Sequence, residues 1–270
     1  MSADLEDRAI GILLGLAAGD RIGGPLRMAL HVAESLCERG GLELTDIGRR
    51  YVDWWRNGGF DTGPTAAQVL SLVDMGVPFE QAAIRVNEAM GGMTAGCNPA
   101  HRSAPLAMCA AIADSALADA AIKEAELTHR HPLAGEAAAA VVCLCRALMR
   151  GTPWPVALRQ AAQGRCAEIR SALDVSAPKK LSPGGFAPDV LSAAVYFLNA
   201  SASFPIALAS SIDFAGPANY CPVLVGSIGG ARWGRAQIET WSVEHHGDIL
   251  PRVNAVALAL AAGWRNVKTP

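Results

Sequence analysis

Aromatic residues make up only 6% of this 270-residue sequence and charged residues only 18%, against 51% hydrophobic. So few charges on so apolar a chain exclude a disordered protein, because there is ample apolar surface to offset the entropy of folding. The scarcity of aromatics, set beside abundant alanine, argues against sheets: alanine is the best helix former and offers little to a pleated surface. Neither sign of charge dominates, with 23 Lys plus Arg against 25 Asp plus Glu, a net charge of -2 and a pI near 6.3. Basic residues form no stripe, so nucleic acid is not an expected partner. There is no CxxC pair. The seven cysteines are an odd number, and Cys143 and Cys145, two apart, point to different faces of a helix, which is the usage of reduced core thiols in a cytoplasm. Residues 1–8 are acidic rather than basic, so no signal peptide is expected. Apolar runs are interrupted by Asp114, Asp119, Glu136 or Arg146 before the ~20 residues a membrane span requires. No Pro/Ser/charge-rich linker divides the chain, so the expectation is a single cytoplasmic domain over 1–270 with no membrane partner.

What is present is helical periodicity from end to end. After Thr152, the apolar Leu158, Ala162, Cys166, Ile169 and Leu173 recur every three or four residues with polar residues between them, so one amphipathic helix is expected, with Thr152 as its N-cap and Pro153 in its first turn. Ser203 before Pro205, and Pro78, mark further starts. The same reading places helices near 5–18, 25–37, 46–56, 65–73, 105–123, 132–150, 188–200, 217–233 and 253–264.

Three irregular segments, 57–64, 90–103 and 214–222, are rich in Gly and Pro, and each feeds a helix start. Unsatisfied N–H groups and a partial positive charge collect there, so a diphosphate or carboxylate can be cradled, although ordinary turn chemistry gives the same composition.

Several segments, in order, resemble the ADP-ribosylglycohydrolase family. These are Gly11-Ile-Leu-Leu-Gly-Leu-Ala-Ala-Gly-Asp20 with Gly23 and Pro25; the loop from Gly96 ending Arg102-Ser-Ala-Pro-Leu106; Thr128-His129 with Pro132; Gly185-Phe186; and the long match from Ala215 to Gly234. The resemblance implies an all-α, compact orthogonal helical bundle with a cleft at the loop ends. It also implies two magnesium ions held by carboxylates, since hard dications need several anionic oxygens. Here the two ligand segments read Thr62-Gly63-Pro64-Thr65 and Pro217-Ala218-Asn219-Tyr220, so Gly63, Pro64, Pro217 and Asn219 stand where relatives carry carboxylates, and Arg27 stands where they carry an acidic residue. No metal cofactor is therefore expected.

Within that cleft Asp61 is the leading catalytic candidate, the alternative being a plain N-cap aspartate. Asp20 is a second, or holds the turn after the first helix. His101 is a third, paired with Arg102 as a phosphate site or acid, or a bystander. Thr62, Gly96, Asn98, Arg102, Gly216, Asn219 and Tyr220 are candidate substrate contacts. His129 and His131 lack carboxylate companions for zinc, His245 and His246 read as solvated surface, and Trp54 and Trp55 as core or as a wall for a base. The expected partner is a ribosyl nucleotide or an ADP-ribosylated protein. The expected activity is metal-independent hydrolysis of a glycosidic bond, with a binding-only pseudoenzyme as the alternative.

Overall fold

Proline and short polar turns punctuate alanine- and leucine-rich stretches, and the helices follow that punctuation. The computed structural model describes residues 3–176 and 180–266. It contains α1 (Ala3–Gly19), α2 (Gly24–Arg39), α3 (Leu44–Arg56), α4 (Gly63–Asp74), α5 (Phe79–Ala89), α6 (Asn98–Arg102), α7 (Pro105–Met108), α8 (Asp114–Ala125), α9 (Pro132–Met149), α10 (Trp154–Ala162), α11 (Ala167–Leu173), α12 (Ala187–Ala200), α13 (Phe204–Ala215), α14 (Cys221–Trp233) and α15 (Leu250–Ala262). Short 3-10 turns lie at Arg235–Gln237, Thr240–His246 and Gly263–Asn266. Among the described residues there is no strand, only one antiparallel bridge between Gly96 and Phe186. The fold is all-α, as expected.

One contiguous buried cluster runs from Leu5 to Trp264, and a smaller one joins α4 to α5. At its centre lies α9, buried along nearly its whole length against α6, α8, α10 and α14. By length and composition α9 would pass for a membrane span, but its apolar surface is covered by its neighbours. Each fully buried Leu or Val there contributes ~1.5–3 kcal/mol.

The tightest packing is between α1 and α14, which run antiparallel. A Cβ on Gly11 would strike the Gly230 carbonyl, one on Gly15 the Gly226 carbonyl, and one on Gly19 the Pro222 carbonyl. Each such atom would lie closer than real side chains ever approach, so the two backbones meet only because these positions are glycine. The seam brings the end of α1 beside the start of α14.

Four expectations about elements are corrected. The helix expected over 105–123 is broken into α7 and α8. Arg146 of α9 explains the break, because its guanidinium donates to the freed carbonyls of Leu106, Ala107, Cys109 and Ile112 and pairs with Asp114. The helix expected after Thr152 is two, α10 and α11, separated by a turn in which Gly164 has φ +74°. Its N-cap is Pro153, with no side-chain cap, so Thr152 does not start it. α14 begins at Cys221 and not at 217, leaving residues 216–220 as loop. Residues 98–102, read as loop, form α6.

Substituting Gly226 with Val is expected to destabilise the chain by at least ~3 kcal/mol in urea unfolding, or to prevent folding, since backbone would have to move. The control Gly41→Ala, where nothing lies within 4 Å of an added Cβ, is expected to change stability by less than ~0.5 kcal/mol.

Candidate active site

The α1–α14 seam delivers Asp20 to the edge of a cavity. Asp20 is buried, and its carboxylate is taken up by backbone: Oδ1 accepts from the N–H of Gly23 at 2.7 Å and Ile22 at 3.2 Å, and Oδ2 from Leu26 at 2.7 Å. The aspartate thus ties the turn into the first turn of α2, where charge and orphan N–H groups favour an anion. Asp20 is not on the cavity lining. In this position it holds the turn after α1.

Asn219 continues the chain of contacts. Its Nδ2 donates to Asp20 Oδ1 at 2.7 Å and to Asp61 Oδ2 at 3.2 Å, while its Oδ1 accepts from the Arg21 N–H at 3.1 Å, which fixes the amide orientation. The positive end of an amide dipole therefore stands between two carboxylates. Around it Gly63 and Pro64 supply no side-chain oxygen, and Asp20 has its lone pairs engaged. Among the described residues no group of three or more His, Cys, Asp or Glu side chains is arranged to hold a metal ion. These donors do not fit a pair of magnesium ions, which require several free carboxylate oxygens.

Asp61 faces the cavity. It is the only described non-glycine residue with positive φ, at 52°, a conformation aspartate tolerates better than most. It is not the N-cap, because Thr62 holds that position before α4. The loop can lie against α2 because Gly24 has no Cβ; an added one would fall 2.5 Å from the Phe60 and Asp61 carbonyls. Burial and then the Asp20 charge raise the Asp61 pKa, opposed by the hydrogen bonds from Asn219 and the Gly24 backbone.

The cavity holds about 580 Å³. Besides Asp61 its lining includes Thr62, Gly96, Asn98, His101, Asn219 and Tyr220, all expected, together with His129, His131, Met90, Met93 and Phe186, which were not. The bridge between Gly96 and Phe186 joins two of the recognised segments, with Cys97 N–H donating to the Gly185 carbonyl and Ala187 N–H to that of Ala95. Gly96 also makes room for His129, whose Nε2 would lie 3.2 Å from an added Cβ. Burial pushes the thiol of Cys97, on the lining, and that of Cys221, behind it, up to about 12, which favours the protonated form of each.

His101 and Arg102 need correction. His101 is 3% exposed, and burial lowers its pKa to about 4 against the pull of the Asp20 charge and a backbone hydrogen bond to Tyr220. At neutral pH it is an uncharged imidazole, not a phosphate-binding cation. Its Nε2 is buried without a hydrogen-bond partner. Burial and then the nearby Arg102 charge likewise keep His129 well below the usual histidine range.

Arg102 lies behind the lining, 0% exposed. It donates to Glu124 Oε1 at 2.7 Å, to the Glu124 carbonyl at 3.2 Å and to Asn98 Oδ1 at 2.6 Å, and its guanidinium sits 5.0 Å over the Tyr51 ring. It acts on the cavity by holding Asn98. Gly216, at the end of α13, is also off the lining. Arg27 pairs with Asp248 away from it. Trp54 and Trp55 pack against the core and do not wall the cavity. His246, read as surface, is buried and donates from Nε2 to the carbonyl of Asp20 at 2.7 Å; His245 is exposed yet reaches the same carbonyl at 2.9 Å.

Two outcomes follow. Because the folded pKa of Asp61 is raised, the native state keeps the proton longer than the unfolded chain. The stability it contributes is complete below the unfolded carboxyl range near ~3.9 and is lost as pH rises through the folded value. Asp61→Asn is therefore expected to have a higher Tm than wild type at pH 7 and an equal one near pH 3, by differential scanning fluorimetry. Arg102→Met, which leaves Glu124 buried and unpaired, is expected to cost about 3–5 kcal/mol in urea unfolding, with part recovered in the Arg102→Met/Glu124→Gln double variant.

Residues 26–268 match the ADP-ribosylglycohydrolase family. A solved structure described as an ADP-ribosylglycohydrolase-related protein complex is similar, with a TM-score of 0.78 and 24% identity over 97% of this chain and 99% of that one, a likeness that speaks to the fold. No curated protein matches the sequence. The family match runs from Leu26, in α2, through α14 and the cavity loops, leaving α1 and Asp20 outside it; because it spans most of the chain, the chain belongs to the ADP-ribosylglycohydrolase family.

Proposed function

We propose that the cavity hydrolyses a glycosidic bond of a ribosyl compound, of the ADP-ribosyl kind or close to it, without a magnesium pair and with Asp61 as the working carboxylate. The observation that carries this reading is the placement of Asp61: a carboxylate on the cavity wall, partly desolvated, held by Asn219 and by an uncommon backbone conformation. Uncommon backbone at a cavity wall is where strained functional groups concentrate. In the reaction a water oxygen bonds to the anomeric carbon as the bond to the leaving nitrogen or oxygen breaks, and the leaving group takes the electron pair. The water proton passes to Asp61, whose negative charge also stabilises the oxocarbenium-like state. Asn219 is a positioning residue: its amide turns Asp61 Oδ2 and occupies the space between the two aspartates.

The substrate enters either free or as a modified side chain on a protein, past the exposed Met93 and Phe186 at the mouth. Seven free cysteines, with burial holding those at the cavity protonated, suit a reducing cytoplasm.

A binding-only reading is favoured by one observation, the saturation of Asp20, which leaves a single carboxylate where glycosidases commonly use two. Turnover of ADP-ribosyl-arginine and related ribosyl compounds with EDTA present separates the two. The expected result is EDTA-resistant turnover that falls at least ~100-fold in Asp61→Asn. Ligand-induced thermal stabilisation without turnover would establish the binding module, and turnover that requires magnesium would defeat the metal-free reading.

A further inference from the structure

The charges around the cavity are placed in a way the hydrolase reading does not use. No described lining residue is Lys or Arg. The nearby arginines lie off the lining: Arg102 is paired with Glu124 and Asn98, Arg27 with Asp248, and Arg21 donates to the carbonyl of Ala218 while its Nε is buried without a partner. Five long helices, α2, α4, α9, α12 and α14, start at the cavity, and each carries proline as its first or second residue, Pro25, Pro64, Pro132, Pro188 and Pro222, which leaves each first turn one backbone donor short. Asp61 stands two residues before α4, so the lining's carboxylate sits where a phosphate site would place a cation. An anion in this cavity would meet negative charge in a partly desolvated setting, where repulsion is stronger than in water.

The opposite holds for a neutral polar group. His101 Nε2 is buried and unpartnered on the wall, and such a nitrogen is costly unless something bonds to it. A hydroxyl both donates and accepts, so it satisfies this nitrogen in either tautomer. Phe186 and Tyr220 add flat, partly exposed faces, with Met90 and Met93 as adaptable apolar surface suited to a base.

We propose that the cavity takes an uncharged ribonucleoside group, with a ribose hydroxyl on His101 Nε2, and that phosphate stays outside it. The choice of ribose rests on the glycosidic-bond reading; the preference for a neutral over an anionic group rests on the lining alone.

Isothermal titration of the full chain with adenosine, guanosine, cytidine and uridine, each beside its own 5′-monophosphate at pH 7 and fixed ionic strength, tests it. The expected result is that at least one nucleoside binds, ten or more times tighter than its monophosphate. Met93→Lys, at a position 79% exposed and so harmless to the fold, is expected to narrow that ratio at least fivefold. His101→Phe is expected to erase the preference for the bound nucleoside over its 2′,3′-dideoxy analogue. A monophosphate binding as tightly as its nucleoside, or no nucleoside binding at all, would overturn the proposal. Nucleoside preference without turnover would sink the hydrolase reading and leave this one standing, whereas turnover with tighter phosphate binding would do the reverse.

Discussion

Everything at the cavity depends on two helices touching through glycine. α1 and α14 approach so closely that Gly11, Gly15 and Gly19 lie against the carbonyls of Gly230, Gly226 and Pro222. Given that contact, the residue after Gly19 must fall beside the residues before Cys221, which is how Asp20 and Asn219 come within 2.7 Å although they are 199 positions apart. A methyl group at Gly11, Gly15, Gly19, Gly226 or Gly230 would push the helices apart and with them the ends that carry Asp20 and Asn219.

Buried cations perform a second task, holding irregular backbone in place. Arg146 gathers four carbonyls where α7 gives way to α8, and its guanidinium lies 4.8 Å over the Trp264 ring. Arg102 joins α6 to α8 through Glu124 and to the cavity through Asn98. Both solve the same problem, since broken helices leave carbonyl groups that cost free energy unless bonded. Asp20 solves the mirror problem for orphan N–H groups at the start of α2.

These long-range partners explain what the sequence made legible. Helix identity is readable because periodicity and proline are local signals: both ends of α1, α9 and α12, and the start of α13, fall within two residues of expectation. The break between α7 and α8 was not readable, because the group that stabilises it lies on α9. Asp61, His101, Asn98, Asn219 and Tyr220, candidates from their place in or beside the matched segments, line the cavity, whereas Arg102 and Gly216, candidates on the same ground, do not. His129 and His131 are visible as a pair just before a helix start, and the signal beyond zinc is their hydrogen bonding ahead of Pro132: buried His129 pairs with Thr128, and half-buried His131 caps α9. His246 was misjudged because two adjacent histidines in a polar stretch give no hint of a carbonyl from α1 waiting for them.

The amide of Asn219 gives the site its chemical character. A dication between two carboxylates would lower the pKa of both and of any water it bound, so negative charge would be plentiful at neutral pH. An amide N–H carries only a partial charge, and Asp61 accordingly keeps a raised pKa from burial and from the neighbouring Asp20 charge. The same substitution that weakens the pull on a phosphate leaves a more basic carboxylate, better matched to accepting a proton from water. On the metal-free reading proposed above, weaker cation affinity and greater basicity are one change seen from two sides, and the neutral imidazole of His101, also on the lining, suits hydrogen bonding more than charge neutralisation.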